Sequence, residues 1–348
     1  MNMMRRRSQG GHVTSRLVRG ALAGGALLMC ACLVQSGSVT VGGMEELATV
    51  GGDPPDALRL DLLKDARICP DGQGAYYLTG TAGTLDRAGR PDFDYNQGVP
   101  LWRSADLKTW QCLGFAWDRV AHFGRGRPKL GIWTDWSAPA GRIDGLLAQA
   151  TTTPGLHRIG DGWYIICAMN GQNIILQKSV NGKPEGPYDD FAYLATRGGT
   201  PSLFPDGDAV YLVFADGWIA PLADDLHGLA EPPRPLLPEP PERPGSGRLT
   251  LGDAGVSLFK RDGRYCVLAA RWQVRDGKPS HDAVLWTAGS LYGPYRETSV
   301  VLAGTGPVSV FRDYDGAWHA VSSRPCDGAP RVCTIPADGE EVADDERA

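Results

Sequence analysis

The sequence predicts an all-β protein, a single five-bladed β-propeller preceded by an N-terminal signal segment. The main observation is a short pattern that occurs five times, in which a Gly or Asp-Gly turn precedes an aromatic residue and an apolar run. After a longer first interval the copies recur at roughly 50 residues, and an all-β unit of that period is typical of propeller blades. A polar turn after four of the hairpins indicates that these units continue into an outer strand.

The five turns have the composition of tight hairpins. Asp-Gly supplies the positive φ angles that such turns need, and aromatic and β-branched residues directly after it favour a strand. The hairpin copies lie at residues 71–80, 160–166, 206–214, 261–268 and 313–321. The polar turns lie at residues 103–110, 178–188, 223–226 and 288–295. Five unrelated hairpins in a β-sandwich are the alternative, and the recurring polar turns argue against it.

The first 34 residues have the features of a secretory signal peptide. Three consecutive arginines at 5–7 give a positively charged start, and the apolar run of residues 21–34 is too short to span a bilayer comfortably. We therefore expect an exported protein, periplasmic or extracellular, with lipidation at Cys30 or Cys32 as an open alternative. The predicted order is a signal peptide at 1–34, a flexible tether at 35–57, the propeller at 58–335 and an acidic tail at 336–348.

Three local features complete the expected architecture. The segment near Leu58 is expected to complete the last blade, because propellers usually close by pairing strands from both chain ends. The proline-rich run 231–244 cannot occupy a central strand and is expected to form a surface crossover. Among the cysteines beyond the signal segment, Cys326 and Cys333 flank a turn and are the expected disulfide. Cys167 and Cys266 lie in apolar strands and are expected to be buried thiols.

Composition excludes several classes of function. The net charge is −5 and no basic stripe is present, so nucleic acid is not an expected partner. No phosphate-binding loop and no dinucleotide fingerprint occur, and no Cys or His spacing suggests a metal. We expect no cofactor, no metal and no membrane contact beyond a lipid anchor. The protein is expected to be a monomer.

The sequence resembles glycoside hydrolase family 43 over roughly residues 60–335. The resemblance is carried in combination by the motifs at residues 64–67, 76–81, 98–110, 201–213, 255–265 and 289–295. It implies a five-bladed propeller that cleaves arabinosides, xylosides and related glycans. An inverting glycosidase needs a general base to activate water and a general acid to protonate the leaving oxygen. In this family a third carboxylate tunes the pKa of the acid.

The resemblance breaks at the positions where that chemistry is expected. Asp65 matches the base, with a turn or strand cap as the alternative role for an Asp at this place. Thr200 and Ala254 stand where the family has its other two carboxylates, and neither can supply a titrating proton near neutral pH. Gly155 replaces a carboxylate that contacts sugar, and Pro307 replaces a histidine of the funnel.

The remaining site candidates follow from residue type. Asp253 is one residue from the missing acid, and a β-bulge at the start of its strand could turn it towards the funnel. Sugar rings stack on aromatic faces, and the carboxylate of Asp and the carboxamide of Asn form hydrogen bonds with hydroxyls. The candidates for sugar binding are therefore Asp94, Tyr95, Asn96, Trp102, Trp133 and Trp136. Packing within the blades is the alternative role for each Trp.

Three functions remain open from the sequence. The first is a propeller that binds an oligo- or polysaccharide in the central funnel, with weak or lost hydrolysis. The second is an active inverting glycosidase that uses Asp65 and an unconventional acid. The third is a secreted interaction scaffold. The separation of a second carboxyl from Asp65, roughly 6.5–9.5 Å in inverting enzymes, distinguishes the first two.

Overall fold

The fold was analysed in a computed structural model of the chain. It describes residues 58–86, 88–93, 96–118, 142–143, 146–147, 150–169, 173–239, 250–275, 277–323 and 330–336. The predicted signal peptide, tether and acidic tail lie outside these residues, apart from the first residue of the tail. None of the described residues forms a helix long and apolar enough to cross a membrane.

The predicted all-β, five-bladed propeller is confirmed. Each of five sheets begins with an inner strand and proceeds outwards by antiparallel pairing. The first blade pairs β1 (Leu63–Pro70), β2 (Tyr76–Ala82), β5 (Gly98–Ser104) and β6 (Gln111–Asp118). The second pairs β9 (Thr151–Ile159), β10 (Gly162–Met169), β11 (Asn173–Ser179) and β12 (Tyr188–Arg197). Two short ribbons are inserted in the chain. The ribbon of β3 (Thr84–Leu85) with β4 (Pro91–Asp92) lies between β2 and β5, and the ribbon of β7 (Arg142–Ile143) with β8 (Leu146–Leu147) lies between the first and second blades.

The other three blades repeat this order. The third contains β13 (Ser202–Asp206), β14 (Ala209–Phe214), β15 (Trp218–Pro221) and β16 (Arg234–Pro235). The fourth contains β17 (Val256–Arg261), β18 (Arg264–Arg275), β19 (Lys278–Ala288) and β20 (Arg296–Leu302). The described part of the fifth contains β21 (Val308–Arg312), β22 (Trp318–Ser322) and β23 (Arg331–Thr334). The proline-rich run thus contributes the outermost strand β16, a position that tolerates proline because an edge strand needs fewer ladder hydrogen bonds.

The predicted turn chemistry is present. In the fourth blade Asp262 and Gly263 have φ of 51° and 75°, which is the pair of positive angles that a two-residue hairpin requires. Each of the five hairpins joins an inner strand to the second strand of its blade. The hairpins therefore lie on one face of the propeller, which we call the lower face. The inner strands begin on the opposite, upper face.

Apolar contacts between neighbouring blades form the core. Five clusters of buried side chains each join two adjacent blades, and the cluster between the first two contains Tyr77, Leu101, Trp117, Trp163 and Ile165. Cys167 and Cys266 lie in these clusters as buried thiols, as predicted. The expected Cys326–Cys333 disulfide involves a residue outside the described part of the chain and stays a prediction.

The described residues at the closure between the fifth and first blades make contact through packing and hydrogen bonds. Residues Leu60–Leu62 form a 3-10 turn. The segment before Leu58 lies outside the described residues, so its expected pairing with the last blade stays a prediction. Leu58 packs with Phe311 and Val321 of the fifth blade. The backbone of Ala66 adds two hydrogen bonds, donating to Ser323 Oγ at 3.1 Å and accepting from Ser309 Oγ at 2.8 Å. Apolar packing and these two bonds therefore join the described residues of the fifth and first blades.

Candidate functional site

The five inner strands arrange their side chains in tiers around the central axis. Side chains alternate along a strand, so residues two apart face the same way. The upper tier consists of Asp65, Thr153, Thr200, Gly255 and Pro307, and the middle tier, two residues further, of Arg67, Gly155, Ser202, Ser257 and Ser309. The lower tier consists of Cys69, His157, Phe204, Phe259 and Phe311. The upper tier surrounds a small cavity, the upper pocket, and the lower tier surrounds a larger one, the lower cavity.

The upper tier is built on strained backbone. Asp65, Thr153 and Thr200 have φ of 55°, 49° and 53°, and Gly255 has 107°. In the first two blades these residues lie in bulges, where the pairing of the inner strand shifts register. A left-handed conformation costs about 1–3 kcal/mol in a residue other than glycine, and such strain concentrates at functional sites. Three strained residues at equivalent places in three blades mark the upper pocket as the candidate site.

Asp65 is held in this pocket by a relay of hydrogen bonds. The buried hydroxyl of Thr81 donates to Asp65 Oδ2 at 3.1 Å and accepts from the backbone N–H of Thr153 at 2.7 Å. Thr81, on the second strand of the first blade, thus fixes the carboxylate of Asp65 and links it to the second blade. The pocket has a volume of about 20 Å³, which is room for about one water molecule. A larger ligand would have to lie above it, at the mouth of the funnel.

Arg67 fills the middle tier. Its Nη1 donates to the Pro201 carbonyl at 2.6 Å, so the side chain reaches from the first blade to the third. It passes over Gly155, where a Cβ atom would approach Arg67 Nη1 to 3.0 Å. Burial lowers the pKa of Arg67 to about 10 despite the attraction of Asp65. Burial and the charge of Arg67 lower the pKa of His157 to about 3, so that ring is neutral.

Small side chains, Thr200 and Ala254, lie in the wall of the upper pocket at the positions of the two absent family carboxylates. Thr200 Oγ1 is buried without a hydrogen-bond partner and packs against the Cα of Gly255. Thr153 Oγ1 is likewise buried and unpartnered. Ala254 lines the pocket between blades three and five. Among the described residues that line the upper pocket, Asp65 is the only carboxylate.

One functional candidate, Asp216, was missed by sequence reasoning. It lies in the turn between β14 and β15, is half-buried, and accepts a hydrogen bond from the backbone N–H of Gly255. The turn packs against the fourth blade, since Gly217 faces Leu251 and Val256. Burial raises the pKa of Asp216, and the charge of Asp253 adds to that effect. No local motif indicates Asp216, because packing of the third blade against the fourth blade brings it to Gly255.

A second residue missed by the sequence is an exposed aromatic. Trp272 lies near the upper end of β18, with 54% of its surface exposed, and stacks on His281 with ring centres 4.4 Å apart. Its backbone N–H donates to Asp253 Oδ2 at 2.9 Å, which ties it to the segment that precedes Gly255. Trp272 therefore presents an aromatic face close to the mouth of the funnel.

The structure separates the predicted site residues. Asp65 lines the upper pocket, whereas Asp253 is exposed, binds the Trp272 backbone and is not part of the pocket wall. Its role as an acid stays a prediction.

Two of the residues predicted to bind sugar, Asn96 and Trp102, instead form contacts that hold the blades together. Asn96 is buried, donates to the Thr151 carbonyl at 2.9 Å and accepts from the Thr151 N–H at 3.0 Å, so its amide joins the first two blades. Trp102 is buried in the cluster between the fifth and first blades. Neither can contact a ligand in the funnel, because both are already enclosed. Asp94, Tyr95, Trp133 and Trp136 lie outside the described residues.

The described residues show no metal centre. No group of three or more His, Cys, Asp or Glu side chains within the described part of the chain is placed to hold a metal ion.

Similarity to known proteins agrees with this geometry. The model of the family described as "Glycosyl hydrolases family 43" matches residues 61–321. An Escherichia coli (strain K12) protein named "Putative beta-xylosidase" is 24% identical over an alignment of 292 positions, which covers 75% of this chain and 48% of the relative. The chain thus spans about half the length of this curated relative.

Solved structures show the same fold. The GH43_1 enzyme from Xanthomonas citri complexed with xylose is 17% identical, with a TM-score of 0.57 over 80% of this chain and 89% of the other. The GH43 BlXynB protein from Bacillus licheniformis is 21% identical, with a TM-score of 0.57 over 81% of this chain and 55% of the other.

Proposed function

The chain belongs to glycosyl hydrolases family 43, and from that premise we propose that it binds glycans at the mouth of the funnel with weak or lost hydrolysis. One observation carries the proposal: Asp65 is the only carboxylate among the described residues of the pocket wall. A base without an acid can orient water but cannot protonate a leaving sugar oxygen. The strained tier that presents Asp65 is nevertheless retained, which favours a ligand-binding role over a scaffold without a site.

The expected ligands are xylo- and arabino-oligosaccharides. A similar fold from Xanthomonas citri has been solved with xylose, and the family resemblance includes arabinosides. Trp272 supplies an exposed ring on which a sugar face can stack, and Asp65 supplies an acceptor for sugar hydroxyls or for a water beneath them. The described residues of the funnel thus offer both an apolar and a polar contact to a neutral sugar.

Calorimetric titration with xylotriose and arabinotriose tests this function. We expect binding by the wild type and a roughly two- to tenfold loss in Trp272→Ala, since an aromatic contact contributes about 0.5–1.5 kcal/mol. Tyr193→Ala, which removes an exposed aromatic from an outer strand, is the matched control and should bind like the wild type. No binding of either sugar by a folded wild-type protein would contradict the proposal.

An active glycosidase is the second candidate, and Asp216 is the observation that favours it. A carboxyl with a raised pKa is suited to donate a proton near neutral pH. Asp216 is joined by one hydrogen bond to Gly255, the neighbour of the residue that replaces the family acid. The space for one water beside Asp65 also suits an inverting base.

A leaving-group series distinguishes the two candidates. If Asp216 is the acid, Asp216→Asn should lose hydrolysis of alkyl xylosides by about 10²–10⁴-fold. The same variant should lose little with aryl xylosides, whose leaving groups need no proton. Asp208→Asn, on the exposed third-blade hairpin at the lower face, is the control. Equal losses with both substrate types, or none, would exclude Asp216 as the acid.

A further inference from the structure

The lower cavity is a second, larger space that the family chemistry does not use. It has a volume of about 480 Å³, against about 20 Å³ for the upper pocket. Arg67 lies between the two and forms the roof of the lower cavity. Residues of the hairpin face, including Gly72, Pro205, Lys260 and Arg312, line its other end. A space of this size is within the range of small-molecule sites.

The cavity is lined by positive charge. Arg67 lies at its roof, and the exposed side chains of Lys260 and Arg312 lie at its mouth. None of the described lining residues is an Asp or Glu. His157 is the other titratable nitrogen base in the wall and is neutral, because its pKa is lowered to about 3. Asp206 offsets part of the charge at the mouth, since it pairs with Lys260 at 2.9 Å.

Arg67 has donor capacity that the described residues do not use. A guanidinium carries five N–H donors, and within the described residues Arg67 makes one hydrogen bond, to the Pro201 carbonyl. It forms no ion pair within 4.0 Å among those residues. The one hydrogen-bond partner of this half-buried cation is neutral, and the attraction of Asp65 does not fully offset its loss of water. An anion in the cavity would add to that compensation.

The rest of the wall has the character of a binding site for a small anion. Buried aromatic rings of Phe204, Phe259 and Phe311 form apolar sides of the cavity. Ser202 lies at the level of Arg67 and adds a hydroxyl. Arg312 uses its Nε to donate to the Gly316 carbonyl at 3.0 Å, which fixes the guanidinium at the mouth.

We propose that the lower cavity binds a small oxyanion, a carboxylate or phosphate group held by Arg67 at the roof and approached past Arg312 at the mouth. The planar fork of Arg67 suits two parallel hydrogen bonds to such a group. The site faces away from the upper pocket, so this inference does not depend on glycan binding.

Titration with inorganic phosphate and with malonate, at about 1–10 mM and constant ionic strength, tests the proposal by calorimetry and by the rise in thermal midpoint that a ligand causes. We expect at least one of the two to bind the wild type, and the preferred one identifies the source as phosphate or dicarboxylate. Arg67→Met should weaken binding by about tenfold or more. Arg264→Met, an exposed arginine of a lower-face hairpin outside the cavity, should bind like the wild type.

A second variant keeps the test decisive if Arg67→Met does not fold. Arg312→Met changes an exposed residue and should weaken binding by roughly two- to fivefold. The proposal is overturned if the wild type binds neither anion, or if binding is equally strong in Arg312→Met and in every folded Arg67 variant.

Discussion

Restoring the two missing carboxylates should convert this propeller into a hydrolase of unactivated glycosides. The double variant Thr200→Asp, Ala254→Glu places acids at the positions that the family resemblance assigns to them, opposite an Asp65 that is already held by Thr81. Thr200 Oγ1 has no hydrogen-bond partner, so its replacement breaks none. Asp also tolerates the φ of 53° at this position better than β-branched Thr does.

The expected gain follows from what the site lacks. A positioned general acid contributes about 10²–10⁴-fold to the rate, equivalent to about 3–5 kcal/mol of the barrier. The assay is release of xylose from xylobiose, whose leaving group needs protonation. The matched control is Thr200→Asn, Ala254→Gln, which has nearly the same shapes without titrating carboxyls. If both double variants fold and hydrolyse xylobiose at the same rate, the reasoning that small residues at 200 and 254 limit catalysis is refuted.

Three further predictions concern the framework and the relay to Asp65. Asn96→Ala leaves the buried N–H and carbonyl of Thr151 without their partners and should lower the free energy of unfolding by about 2–4 kcal/mol in urea denaturation; a loss below 0.5 kcal/mol would contradict the framework role. His157 has its pKa lowered from 6.5 to about 3, so protonation favours the unfolded chain and stability is lost as the pH falls from 6.5 towards 3; His157→Gln should flatten that loss, whereas exposed His227→Gln should not. Thr81→Val removes the hydroxyl that bridges Asp65 and Thr153 and should cost about 1–3 kcal/mol, and an unchanged denaturation midpoint would count against the relay.

The fold could be predicted because the sequence signals that specify its hairpins are local. Each Asp-Gly turn and each aromatic run specifies a hairpin within a few residues, and the turn at Asp262 and Gly263 has the backbone that its sequence requires. Burial of Cys167 likewise followed from the apolar strand around it. The packing of Leu58 could not be predicted in detail, because its partner Phe311 lies at the far end of the chain.

The site could be predicted only in part, because its contacts join different blades. Asn96 has the composition of a sugar ligand, but its partner Thr151 is 55 residues away and encloses it. No sequence motif indicates Asp216 or Trp272. Each is positioned by hydrogen bonds with the segment that contains Asp253 and Gly255. Arg67 is a similar case, because only the absence of a side chain at Gly155 leaves room for its guanidinium.

The most direct test of weak or lost hydrolysis is the rate of xylotriose cleavage by the wild type, with Asp65→Ala as the comparison. A pocket wall with Asp65 as its only described carboxylate predicts no cleavage above that of Asp65→Ala. Turnover in the ordinary enzymatic range of about 1–10³ s⁻¹, abolished in Asp65→Ala, would contradict this account and would show that the chain supplies an acid to the funnel.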